Sequence, residues 1–250
     1  MGVVRVTVIT GFGINADREL ALAFDRVGGR SERVHLIDLI ADPGILERTE
    51  ILALPGGFSF GDHLGSGLVF AARFRHHLSS HIDRFLGRGG LAIGICNGFQ
   101  VMVKGGMIPN FNGRGEPEVT LVHNDTGRFT NSWVRVSFDE RSPCVWTHDL
   151  SPMDIPIRHG EGRFVAKNEA VLDRLESEHL VAVRYHGENP NGSARMIAGI
   201  TEATGRVLGL MPHPEAFIKE QNHPRWTREE VGSANGLELL RNGVNEVSGG

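Results

Sequence analysis

The chain has little of what marks several protein classes. Only two of its 250 residues are cysteine, Cys96 and Cys144. Two thiols cannot build a disulfide framework, so a reducing, cytoplasmic setting is expected. No run approaches the roughly 20 apolar residues of a membrane span. The opening MGVVRVTVIT is too short, and meets glycine and charge too soon, to read as a signal peptide. Charge of one sign is never concentrated, and the formal net charge is −4. The clustered Lys and Arg of a nucleic-acid surface are therefore missing. No internal repeat, low-complexity tract or long linker breaks the chain, and one domain over residues 1–250 is expected.

Glycine is plentiful instead. The 33 glycines exceed the usual share of roughly 7%, which points to tight turns and close backbone approaches. Apolar, β-branched segments predict strands over 3–9, 33–37, 50–54 and 91–95. Helical patterns fall between them, over about 15–27 with Asn15 as cap and Gly28 as stop, and over 63–86 with a break near Ser79–Ser80. Strand and helix alternating in this way imply a parallel sheet covered on both faces. The second half predicts strands over 118–122, 132–138, 180–185, 196–200 and 207–210, added antiparallel to the same sheet. A closing helix is expected over 232–244.

Three segments carry chemistry. The run LAIGICNGFQVMV puts a cysteine in Gly-x-Cys-x-Gly between a buried strand and a helix. This is a nucleophile elbow with sulfur in place of a hydroxyl. Gly94 and Gly98 spare side chains where strand and helix crowd together. The turn lifts Cys96 above the carboxyl edge of the sheet. There the amino end of the following helix favours thiolate over thiol. Cys144, in RSPCVW, lacks such a context and reads as structural.

The second segment, GRVLGLMPHPEAF, ends a strand with His-Pro-Glu. On an extended segment alternate residues share a side, so His213 and Glu215 are expected to face the same way. A carboxylate beside an imidazole selects its tautomer and stabilises imidazolium. His213 is the candidate base and Glu215 its orienting group. The third segment, LPGGF, follows a strand and can offer bare backbone N–H groups to an anion. The N–H of Gly57, with that of Asn97 just after the cysteine, is the candidate oxyanion hole.

PGGFSFGD, GICNGFQ and MPHPE resemble the signatures of triad-type class I glutamine amidotransferases. More narrowly, HNDTGRFTNSWVRV, IRHGEGRFVA, ENPNGSARMIAGIT and HPRWTRE are similar to stretches of the glutaminase subunits of phosphoribosylformylglycinamidine synthases. The resemblance spans residues 4–245. It implies a single flavodoxin-like α/β domain, with a mostly parallel central sheet, antiparallel additions and helices on both faces. It also implies hydrolysis of L-glutamine to glutamate and ammonia through a Cys96 glutamyl thioester. The ammonia would pass to an ATP-dependent synthetase subunit, with a small bridging subunit between them. Carried over by position, Gln100 would contact glutamine, and Phe58 and Gly160 would line its pocket. His159 is expected to be structural or a subunit contact. No metal and no cofactor is expected in this chain; ATP and magnesium would belong to the synthetase. The segment GRGEPE is no phosphate-binding loop, so the chain is expected to act as a subunit. It departs from the family's common pattern at Ala216 and Gly65, where arginine is usual.

Overall fold

The first strand, β1 (Val4–Thr10), is buried along its run VRVTVI except at Arg5. In the computed structural model it lies inside a nine-stranded sheet. The structure describes residues 2–111, 113, 117–231 and 236–249. β1 leads through α1 (Asp17–Arg26) to β2 (Gly29–His35), and then through α2 (Leu36–Ala41) to β3 (Ile51–Leu54). Helix α3 (Leu68–Gly87), strand β4 (Leu91–Ile95) and helix α4 (Asn97–Lys104) complete the first half. β2 and β3 flank β1 on opposite sides, both parallel to it. Right-handed crossovers that leave β1 and β3 in opposite directions put α1 and α3 on opposite faces. The strand order changes direction at β1, so the loops after β1 and β3 open a crevice at the carboxyl ends of the strands.

β3 and β4 are buried at every position, as parallel strands covered on both faces must be. Helix α3 turns Phe70, Phe74, Leu78, Ile82 and Phe85 inward, a 3.6-residue period that forms one apolar stripe.

The second half supplies β5 (Val119–Val122), β6 (Thr130–Phe138), β7 (Met153–His159) and β8 (Arg163–Ala166). It continues with helix α5 (Glu169–Ser177), β9 (Val183–Tyr185), β10 (Ile197–Thr201), β11 (Val207–Leu210) and α6 (Leu237–Ser248). β11 returns to pair with β4 in parallel. β10, β9, β6 and β7 then extend the sheet antiparallel. The expected α/β architecture is therefore present: a parallel core with antiparallel additions.

Several sequence expectations need correction. Asn15 does not cap α1; the cap position is Ala16 without a side-chain bond. The Asn15 backbone N–H donates instead to the Gly56 carbonyl at 3.3 Å. The second strand runs over Gly29–His35 rather than 33–37, because the polar GRSE portion is paired while Leu36 already opens α2. Helix α3 begins at Leu68 and is unbroken at Ser79–Ser80; Ser79 folds its hydroxyl back onto the Arg75 carbonyl. The 118–122 strand leaves the main sheet and pairs only with β8. β7 and β8 were not expected, and Pro156 inside edge strand β7 hides its alternation. β9 is shorter than expected and β10 is displaced by one residue. The start of the closing helix, at 232–235, lies outside the described residues, as do Arg114, Gly115 and Glu116 of GRGEPE; the helix described is Leu237–Ser248.

Helix α4 packs so tightly on β3 that a Cβ at Gly98 would collide with the Leu54 carbonyl. Gly98→Ala should destabilise the fold by about 1–3 kcal/mol, the usual cost of overpacking. At this size that lowers Tm by about 2–4 °C per kcal/mol. Gly87→Ala, at a helical position with nothing within 4 Å, should leave Tm unchanged or slightly raised. Equal thermal melts for the two variants would show that α4 is free to shift away from β3.

Candidate active site

Cys96 sits between β4 and α4 with φ 52° and ψ −104°. A non-glycine residue in this region is strained, by about 1–3 kcal/mol. Its neighbours hold it there: the Cys96 N–H donates to the Leu210 carbonyl of β11 at 2.8 Å. A Cβ at Gly94 would come within 2.7 Å of the Gly98 backbone, so both glycines are needed for the turn. The sulfur is buried at the amino end of α4. Asn97 is the first residue of that helix, so its N–H has no intrahelical partner.

His213 reaches the same place from β11. Its backbone N–H donates to the Pro156 carbonyl of β7 at 2.8 Å. The segment beyond it is a short 3-10 turn, Pro214–Ala216, not the extended stretch expected. The turn still brings Glu215 Oε1 to 2.6 Å from His213 Nδ1. An ionised carboxylate only accepts, so Nδ1 carries the proton and Nε2 is left for chemistry. Among the described residues Nε2 has no hydrogen-bond partner, and it is fully buried. Gly56 is the spacer: a Cβ there would lie 2.8 Å from His213 Cε1 and 3.6 Å from Cys96 Cβ. The imidazole and the thiol thus converge beside the loop that follows β3.

Burial by itself would pull the His213 pKa down. The Glu215 charge, then the nearby sulfur of Cys96, outweigh it and push the value up to about 10. The resting ring is imidazolium, paired with Glu215. His159 goes the other way, to about 4, through burial and the nearby His213 charge. It is neutral at pH 7. Its ring is fixed by Asn124 Oδ1, 3.0 Å from Nδ1.

The loop after β3 is clasped by the loop after β1. The Phe58 N–H donates to the Gly13 carbonyl at 2.9 Å, and Gly57 bridges to Ile14. A Cβ on Gly57 would lie 2.7 Å from Ile14 Cα, so only glycine fits. Gln100 projects from α4 and donates to the Glu161 carbonyl at 2.6 Å, while its Oε1 accepts from Asn97 Nδ2 at 2.9 Å. Phe58 is 47% exposed, and its ring is 6.3 Å from that of Phe129. A Cβ at Gly160 would lie 3.9 Å from the same Phe129 ring. Phe58 and Gly160 thus both lie near Phe129.

Sequence reasoning missed Asp62, Lys104 and Glu161 as a cluster. Ser66 joins them: its N–H reaches Glu161 Oε2 at 3.2 Å, its hydroxyl reaches Asp62 Oδ2 at 2.9 Å, and Lys104 binds its carbonyl. Burial holds the Asp62 carboxyl up and the Lys104 ammonium down. HGEG flagged Glu161; nothing local flagged Lys104. Arg158, on β7, was also missed although it borders the triad. Gly65 has φ 112°, a conformation that suits the glycine found there. Among the described residues no three His, Cys, Asp or Glu side chains gather as a metal site. No helix among them is long and apolar enough to cross a membrane.

Residues 3–245 match the family model of the CobB/CobQ-like glutamine amidotransferase domain. The chain belongs to this amidotransferase family. It is also 38% identical to the phosphoribosylformylglycinamidine synthase subunit PurQ of Dehalococcoides mccartyi, over 98% of each chain. Against the same subunit of Treponema denticola it is 36% identical, over 97% of this chain and 98% of that one. A solved structure of PurLQS from Thermotoga maritima superposes with a TM-score of 0.76 at 30% identity, covering 98% of this chain and all of the matched one.

For this amidotransferase the two histidines give opposite pH signs. The His213 value lies above the ordinary 6.5, so its stabilisation is complete below pH 6.5 and is lost as pH rises through about 10. His159 lies below 6.5, so its contribution is complete above pH 6.5 and is lost as pH falls through about 4. Thermal melts should show an alkaline decline that is weakened in Glu215→Gln. In glutaminase assays His213→Ala should cost about 10⁴-fold in kcat and Glu215→Gln about 10²-fold. Wild-type turnover in Glu215→Gln would reduce the triad to a dyad.

Proposed function

We propose that this chain is the glutaminase subunit of a phosphoribosylformylglycinamidine synthase, with Cys96 as nucleophile, His213 as acid and base, and Glu215 as its orienting group. The observation that carries the reading is the strained elbow of Cys96 beside a buried imidazole whose Nδ1 is held 2.6 Å from Glu215. Near-full-length similarity to PurQ subunits supports the choice of substrate and pathway.

The cycle follows from the charges. The Cys96 thiolate adds to the amide carbon of L-glutamine, and the carbonyl oxygen becomes an oxyanion. The free N–H groups of Gly57 and Asn97 stabilise it. Collapse of this intermediate breaks the carbon–nitrogen bond. His213 Nε2–H gives its proton to the leaving nitrogen, which departs as ammonia, and a glutamyl thioester remains on Cys96. The now neutral His213 takes a proton from water, whose oxygen attacks the thioester. Glutamate leaves, and thiolate and imidazolium are restored. Glu215 carries no proton in this scheme; it holds the ring with Nε2 towards sulfur. In this reading Gln100 contacts the substrate, and Phe58 and Gly160 line its pocket.

Ammonia then passes to the synthetase partner, which converts formylglycinamide ribonucleotide to the amidine. ATP and magnesium act on that side, and a small bridging subunit joins the two. The assembly works in the cytoplasm. Reconstitution with the synthetase tests this. Cys96→Ala should remove glutamine-dependent amidine formation and leave ammonia-dependent formation at the wild-type rate. Persistent glutamine use, or a glutamyl adduct trapped on Cys144, would sink the assignment.

A further inference from the structure

The cycle gives Arg158 no part, yet this residue borders every member of the triad. Its carbonyl oxygen lies 3.7 Å from Cys96 Sγ. Its guanidinium Nη2 lies 3.2 Å from His213 Nδ1 and 3.7 Å from Glu215 Oε1. The same nitrogen is 3.0 Å from Glu19 Oε2 on α1. The Nδ1 proton is committed to Glu215, so Arg158 meets the ring as a neighbouring charge rather than as a hydrogen-bond donor.

Proton transfer creates the need for that charge. The Glu215 side chain is completely buried, and its Oε2 has no partner among the described residues. While His213 is imidazolium, the carboxylate has a counter-ion. When Nε2 releases its proton to the leaving amine, the ring turns neutral. A buried carboxylate left without an opposite charge is strongly unfavourable. The next residue is Ala216 and offers none. Arg158 is a cation throughout the cycle. It stands 35% exposed, with Glu19 balancing it from the solvent side.

We infer that Arg158 is a positioning residue of the glutaminase site: it keeps Glu215 ionised and in place while His213 cycles, and its charge makes the ring a readier acid. The inference rests on the function proposed above. The charged and titratable groups around His213 are few. Glu215, on its own segment, and Cys96, heading α4, favour imidazolium. Arg158, from β7, opposes it, and the neighbouring His159 is neutral. Glu19, from α1, weakens the opposition by pairing with Arg158.

The test is the pH dependence of Cys96 alkylation by iodoacetamide on the whole chain, beside glutamine hydrolysis with the synthetase partner. Removing the cation in Arg158→Ala should move the alkaline limb up by about one pH unit, the low end for a like charge this near. It should lower kcat about 10²-fold and change KM for glutamine by less than about threefold. Glu19→Gln leaves Arg158 unbalanced and should move the limb down. Arg158→Lys keeps a charge and should hold the limb near wild type while recovering about tenfold of the lost turnover. Unmoved limbs in Arg158→Ala and Glu19→Gln would overturn the inference, whatever rate was lost. If Arg158→Ala does not fold, the opposed behaviour of Glu19→Gln and Arg158→Lys decides it, and two coincident wild-type profiles would be the refuting result. Wild-type glutamate release that survives Cys96→Ala would defeat the functional reading itself; Cys96-dependent release with unmoved limbs would defeat only the role of Arg158.

Discussion

Everything at the site depends on one turn. The chain leaves β4, places Cys96 at φ 52° and starts α4 in a single step. An L-residue resists that backbone conformation. It persists because the packing on each side leaves no alternative. Gly94 and Gly98 let α4 lie against β3, and the Cys96 N–H is tied to β11. The same closeness points the amino end of α4 at the sulfur. Rigidity and electrostatics thus come from one contact, strand against helix without side chains between them.

Charge then alternates outward from the sulfur. Cys96 faces His213, His213 faces Glu215, Glu215 faces Arg158 and Arg158 faces Glu19. The inner groups are buried and the outer ones partly exposed, so solvent closes the series. Each buried charge has an opposite neighbour, which is the condition for burying charge at all. The elements involved are distant in sequence: α1, the head of α4, β7 and the end of β11. Their meeting is a property of the sheet, in which β11 pairs with β4 and β7 closes the far edge.

The HGEG loop beside the site is held by side-chain amides. Asn124 uses its side chain on the carbonyls of Arg128 and His159 and on the N–H of Gly162. Asn191 reaches the Gly162 carbonyl and the Tyr185 hydroxyl. The stretches HNDTG and NPNGS therefore act on the HGEG stretch from two sides. That stretch in turn receives Gln100 through the Glu161 carbonyl. A buried irregular loop requires such partners, since unpaired backbone groups away from water are costly.

Much of this was legible in the residues. Fully apolar β3 and β4 and the stripe on α3 announce a parallel sheet, because hydrophobic period reports burial directly. Glycine on both sides of Cys96 announces the elbow, because only a crowded turn needs both. The spacing of His213 and Glu215 announces their closeness, although a 3-10 turn, not a strand, delivers it. What stayed hidden is what depends on distant partners. Edge strands β2 and β7 carry polar residues and proline, so their pairing leaves little period to read. Asn15 looks like a helix cap but is drawn to Gly56 by a loop 40 residues away. Nothing in the local sequence singles out Lys104 or Arg158. Local sequence determined the strand–turn–helix that makes the nucleophile, because its sterics are contained within a few residues. Tertiary structure alone decided which charges surround that nucleophile, because Coulombic neighbours are chosen by distance in space and not by distance along the chain.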